Sequence, residues 1–215
     1  MDGYGFIILA FRGTSDYDQQ MFEQGWNYTE MVPFLAGGKV GKYFFDTFNN
    51  VWNKGGMKDD VYTLKNKYPT YRFHVVGHSL GGAVASIAAA TIVSTGIAPA
   101  NRTHLYTFGE PRSGDKDYAN AFISLQINSV RIVHNRDAVP HLPSLNDTVY
   151  YHHVREIWYP TDEMSDIEPY FECSSIDGED PKCANSLNGF LNFDDHKKYF
   201  GRDFSYYGIN GCNDL

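Results

Sequence analysis

Apolar positions along the chain change their period several times, and each change marks an element. Phe6 to Phe11 is an unbroken apolar run, which predicts a central strand buried on both faces and ending at Arg12-Gly13-Thr14. From Val40 to Trp52, apolar residues fall at 40, 44, 48 and 51, a helical spacing that Gly55-Gly56 interrupts before a second helix over Met57 to Lys67. Tyr71 to Val76 reads as a short strand. Gly82 to Ser94 is almost wholly small or apolar, and a helix with no polar face is a buried helix. His104 to Phe108 is the next strand. Asp115 to Gln126 is an amphipathic helix with Tyr118, Phe122 and Leu125 on one face. Val130 to His134 and Val149 to Tyr159 are the remaining predicted strands. Strands alternate with helices through residue 134. That pattern predicts an α/β fold with a mainly parallel sheet and helices on both faces.

Residues 160–195 break the pattern. They carry ten acidic residues against one lysine, which predicts a solvated surface excursion. Asp177-Gly178-Glu179-Asp180 lacks the spacing of an EF-hand loop, so no metal site is expected there. Cys173 and Cys183 flank a short step in this segment and are the natural local disulfide pair, with Cys212 left unpaired.

A length of 215 residues favours one domain over 1–215. The net charge of −8 argues against nucleic acid, which needs a basic face, and against adsorption to anionic lipid. No apolar stretch reaches transmembrane length, and Met1-Asp2-Gly3 with its short apolar follower is not a secretory signal. No cofactor motif is present among the patterns read.

Chemistry concentrates at Gly77-His78-Ser79-Leu80-Gly81, which matches G-x-S-x-G. The predicted strand before it and the buried helix after it are the context that motif requires. A sharp strand-to-helix turn lifts the Ser79 hydroxyl clear of the sheet, and the helix N-terminus points its amides at developing negative charge. A serine nucleophile needs a base, and the base needs an orienting carboxylate, in the chain order Ser, acid, His. Asp137 directly follows a strand; Asp147 and Asp162 have no clean strand end to deliver them. His74 and His134 lie inside strands, and His152 and His153 lie in the last β segment. His104 precedes its strand, and His141 crowds Asp137. His196 lies beyond every strand, although position alone does not separate it from a surface histidine. The N–H of Leu80 is one candidate oxyanion donor, and Thr14, after the first strand, is the other.

Five motifs in one order resemble the class 3 lipase family, the fungal triacylglycerol lipase-like branch of the α/β-hydrolases. They are Phe11-Arg12-Gly13-Thr14, Gly77-His78-Ser79-Leu80-Gly81-Gly82-Ala83, Gly109-Glu110-Pro111-Arg112-Ser113-Gly114, Asp137-Ala138-Val139-Pro140-His141-Leu142-Pro143 and Asp195-His196-Lys197-Lys198-Tyr199-Phe200. The resemblance implies Ser79 as nucleophile, Asp137 as triad acid, His196 as base, and Thr14 and Leu80 as oxyanion donors. It implies a lid within residues 15–36, a lipid ester substrate and a secreted parent protein. It also implies β structure ahead of the Phe6–Phe11 strand, so this chain is expected to lack the N-terminal part of the sheet, along with a cysteine partner for Cys212. The rival expectation is a catalytically impaired, truncated lipase-like protein or lipid-binding module, which fluorophosphonate reactivity separates from an enzyme.

Overall fold

A computed structural model describes residues 5–14, 30–146, 149–165 and 167–213. Its main sheet holds β1 (Phe6–Phe11), β4 (Arg72–His78), β5 (Thr103–Phe108), β7 (Asn128–His134), β9 (Glu156–Tyr159) and β10 (Phe171–Glu172), side by side in that order. The first five run parallel and β10 is antiparallel to β9. A smaller sheet joins β2 (Met31–Pro33), β3 (Lys39–Gly41), β6 (Gly114–Asp115) and β8 (Tyr150–Tyr151). A hairpin of β11 (Lys198–Tyr199) and β12 (Arg202–Asp203) follows.

One face of the main sheet carries the core. Helix α3 (Leu80–Ser94) is built of small and branched apolar residues, so it lies close against Ile7, Leu9, Phe73, Val75 and Leu105. Helix α1 (Lys42–Asn49) sets Phe44 and Phe48 against the same cluster. Helices α2 (Met57–Lys67) and α4 (Lys116–Ser124) add Val61, Tyr118 and Phe122. On the opposite face, the C-terminal ends of β4 and β5 meet α5 (Asp194–Lys197) and α6 (Phe204–Ile209). There the rings of His78 and Phe108 contact His196, Tyr199 and Phe204. Among the described residues, no helix is long and apolar enough to cross a membrane.

The parallel α/β reading holds, with four corrections in detail. First, β1 is not buried on both faces: Ile7, Leu9 and Phe11 are buried, while Phe6 is 46% and Ile8 65% exposed. Among the described residues β1 pairs only with β4 and nothing covers that second face, so an all-apolar run alternates in burial. Second, Val40 lies in β3, because the backbone there is taken up by Val32, Gly114 and Ser113. The helix therefore begins at Lys42, and after Asn49 it widens into a π-helical turn over Asn50–Lys54.

Third, Val149–Tyr159 is two strands in two sheets. Between them His152 and His153 turn inward: the His152 N–H donates to Glu179, its ring bonds Pro140, and His153 meets Glu110. Fourth, residues 160–195 are anchored. Glu179 is buried and receives both Nε (2.8 Å) and Nη2 (2.7 Å) of Arg112, which lies 67 residues earlier. The expected pair Cys173–Cys183 forms a disulfide, 6.0 Å between Cα atoms, and Cys212 is free and exposed. Burial of an acidic side chain is tolerated here because a bidentate guanidinium faces it.

Candidate active site

Ser79 stands alone between β4 and α3, at φ 58° and ψ −132°. A non-glycine residue with positive φ is strained, and the surroundings must hold it there. Its N–H donates to the carbonyl of Phe108 at the end of β5, and its carbonyl receives the N–H of Gly82. Close approach does the rest. A Cβ on Gly81 would stand 2.1 Å from the carbonyl oxygen of Phe11, so only glycine lets the first turn of α3 reach the end of β1. Ser79 Oγ is buried and makes no hydrogen bond among the described residues. In substrate-free enzymes such catalytic hydrogen bonds are often long and tighten only when substrate binds.

Asp137 arrives on the turn after β7, where its N–H donates to the His134 carbonyl. His196 arrives on α5. Both side chains are completely buried, with His196 Nδ1 2.8 Å from Asp137 Oδ2. A carboxylate only accepts, so Nδ1 carries the proton and Nε2 is the basic nitrogen of the neutral ring. The Asp137 oxygens are fully engaged: Tyr199 Oη donates to Oδ2 over 2.6 Å and the Val139 N–H to Oδ1 over 2.8 Å. Burial alone would raise the Asp137 carboxyl. The facing His196 and the bonds from His196, Tyr199 and Val139 outweigh it and hold the carboxyl below the ordinary carboxylate range.

The segment bearing His196 is tied to the Asp137 turn by the residues just before the histidine. Asn192 bridges Asp137 through the Ala138 N–H, the Arg136 N–H donates to Asp195 Oδ2, and His134 Nδ1 bonds the Asp195 carbonyl. Gly109, at φ 57°, makes room for the pair. A Cβ there would lie 2.7 Å from Asp137 Oδ2 and 2.8 Å from His196 Nδ1.

The two candidate oxyanion donors converge as well. Leu80 opens α3, and the turn after β1 lies so near the serine that a Cβ on Gly13 would be 3.0 Å from Ser79 Cβ. Thr14 and Leu80 line one cavity of about 400 Å³ with Tyr43, Val51, Met57 and Val84. Across Arg12–Thr14 a second cavity of about 530 Å³ is lined by His78, Phe204, Tyr207, Ile209 and Cys212. All five residues singled out in the sequence thus belong to one neighbourhood. The expected lid falls in residues 15–36, of which 15–29 lie outside the described residues.

Four features escaped the sequence reading. Tyr199 sits inside a quoted motif, three residues after His196, and the β11–β12 hairpin brings it back to Asp137. His78 is the unspecified residue of G-x-S-x-G, and its ring stacks on His196. Gly109 and Arg112 also sit inside a quoted motif, but nothing local marked the room Gly109 makes for the Asp137–His196 pair or the contact of Arg112 with Glu179. Glu110 explains its own motif: it accepts from Thr107 and Ser113, pairs with His153, and packs under Gly82 at the start of α3. Glu156, Cys173 and Cys183 also converge, but the two sulfurs are joined to each other and offer no thiolate to a metal.

Known proteins share this architecture. The family signature described as Lipase (class 3) matches residues 8–147. A lipase of Caenorhabditis elegans is 33% identical over 96% of this chain and 65% of its own length. A secreted mono- and diacylglycerol lipase of Fusarium solani is 35% identical over 79% of this chain and 50% of its own. The structure of Rhizomucor miehei triacylglyceride lipase superposes with a TM-score of 0.82 at 32% identity, over 95% of this chain and 75% of that one. The chain spans about half to two thirds of the length of these two curated relatives. With the signature, the relatives and the superposed structure in agreement, the chain belongs to the class 3 lipase family of α/β-hydrolases.

Proposed function

We propose that this chain is a serine carboxylic ester hydrolase acting on lipid esters, acylglycerols foremost. Ser79 Oγ attacks the ester carbonyl while His196 Nε2 takes its proton, and Asp137 holds the resulting imidazolium in place. The N–H groups of Leu80 and Thr14 receive the oxyanion, each contributing about 3–4 kcal/mol of transition-state stabilisation. His196 then returns the proton to the departing alcohol, leaving the acyl group on Ser79. Water repeats the sequence: it gives a proton to His196, attacks the acyl-enzyme, and releases the fatty acid as Ser79 is reprotonated. No step calls for a metal or an organic cofactor.

The observation that carries this reading is the fully buried Asp137–His196 contact beside a serine held at positive φ. The acylglycerol specificities in the names of the relatives support the substrate class. The secreted relative and the Cys173–Cys183 disulfide support a secreted parent protein.

Fluorophosphonate labelling followed by peptide mass analysis tests the chemistry, and titration of acid released from tributyrin, dibutyrin and monobutyrin tests the substrate. The expected result is a phosphonyl adduct on Ser79 and acid release from at least one glyceride. Lipid binding without adduct or turnover would instead identify a binding module.

A further inference from the structure

Position 78 of the G-x-S-x-G turn is a half-buried imidazole for which the ester chemistry has no task. His78 is the last residue of β4 and the immediate neighbour of Ser79. Its Nε2 lies 2.8 Å from the main-chain carbonyl oxygen of His196, 118 residues later. A carbonyl can only accept, so Nε2 carries the proton and donates. Its ring lies on the His196 imidazole with centroids 4.4 Å apart and planes 26° apart. Phe204 and Tyr199 pack edge-on against it at 4.8 Å and 5.7 Å.

We propose that His78 is the positioning residue of the catalytic base: it fixes the backbone of His196 with one hydrogen bond and the tilt of its ring with one stacking face. This deepens the hydrolase reading and rests on it. The nucleophile and the base lie far apart in the sequence, and the contact joins them through the residue next to the nucleophile. A misplacement of about 1 Å in a reacting group costs roughly 100-fold in rate, so a strut at this place has a kinetic consequence.

The stack also requires that only one of the two rings take a proton. Among the described residues, His196 and the Tyr199 phenol contact His78, the Asp137 charge acts on it, and Arg12, Tyr207 and Cys212 line the cavity it borders. Burial, and then the neighbouring His196, push the His78 imidazole down to about 3, while Asp137 and the His196 carbonyl act in the opposite direction. His78 therefore stays neutral over the working range, and the proton arriving from Ser79 goes to His196 alone.

The test compares His78→Phe and His78→Gln in the full chain with the unsubstituted protein, using p-nitrophenyl butyrate turnover and fluorophosphonate labelling rates. Phenylalanine keeps a stacking face and loses the donor; glutamine keeps a donor and loses the ring. His78→Phe is expected to lower kcat roughly 100-fold with KM within about twofold. His78→Gln is expected to recover at least about tenfold of that loss, since an amide N–H reaches the same carbonyl. Full kcat in His78→Phe, or no recovery in His78→Gln, would overturn the proposal.

A measurement on the unsubstituted chain covers the case of a variant that does not fold. Imidazole 15N–1H spectra should show a slowly exchanging proton on His78 Nε2 from about pH 5 to 8. A proton on Nδ1 instead, or a His78 resonance titrating in that range, would also overturn the proposal. Absence of labelling in the unsubstituted chain would strike the hydrolase reading. A labelled chain with a fully active His78→Phe variant would strike the positioning role alone.

Discussion

The phenol of Tyr199 donates to Asp137 Oδ2 across 2.6 Å, and that oxygen also accepts the Nδ1 proton of His196. One carboxylate oxygen is therefore shared between His196 and a buried tyrosine. Burial and the Asp137 charge both raise the Tyr199 phenol well above its ordinary range, so it remains a donor at every working pH. In Tyr199→Phe the carboxylate loses a stabilising donor and becomes more basic. The expected outcome is a kcat reduced roughly 10- to 100-fold in a folded protein. Turnover of a soluble ester, measured beside circular dichroism, checks it, and full kcat in a folded variant would contradict the shared-oxygen argument.

Ser79→Ala is expected to leave the fold intact. Turnover should fall by about 10⁴- to 10⁶-fold, because nucleophile, base and acid act as a unit. Circular dichroism and labelling with fluorophosphonate separate lost chemistry from lost structure. Retained turnover in a folded Ser79→Ala variant would move the nucleophile elsewhere.

Stability should decline on acidification below about pH 6.5. Burial first pushes His78 down to about 3 and His141 to about 4, with the Arg112 charge adding at His141. His152 is held well below its ordinary value by burial, then by Arg131 and Arg112. Unfolded imidazoles titrate near about 6.5, so in this window the unfolded chain binds more protons than the folded one. The stabilisation is complete above the unfolded value and is lost as pH falls toward the folded ones. Each of these rings contributes a slope of at most about 1.4 kcal/mol per pH unit. Thermal unfolding at intervals from pH 8 to about pH 5 should give a Tm that falls below neutrality; a level Tm would refute the assignment.

Arg112 and Glu179 provide a test of the loop that follows Asp137. Arg112→Met leaves Glu179 buried without its partner, at an expected cost of about 3–5 kcal/mol. Adding Glu179→Gln removes the orphaned charge and should restore part of the loss. Denaturant unfolding of the single and double variants measures the difference.

Most of the parallel sheet was legible because its strands and α3 have local signatures: β5, β7 and the Gly-rich turn follow from runs of six or so residues. The Cys173–Cys183 pair was legible for the same reason, since both partners lie in one short segment. Features that depend on partners far away in the chain were not. Glu179 looks like one more surface carboxylate until Arg112 is seen beside it, and Val149–Tyr159 looks like one strand until Glu110, Pro140 and Glu179 claim its middle. Phe6–Phe11 misled because an apolar run states what a strand tolerates, not what is packed on each side of it. At the site, residue types marked Ser79 and Asp137. His196 needed the motif around it, and the Tyr199 and His78 contacts required the folded chain.

The elbow and its acid are carried by strands completed before residue 138, whereas α5, with His196, follows every strand of the main sheet. Protein synthesis proceeds from the N-terminus, and folding of the emerging chain follows in the same direction. On the proposed mechanism, a nascent chain that has already built its sheet still has a serine without a base. It becomes hydrolytic only when residues 192–199 have left the ribosome and docked against the Asp137 turn. The order of translation thus separates the building of the sheet from the onset of hydrolysis, and the sheet can form before any ester is cleaved.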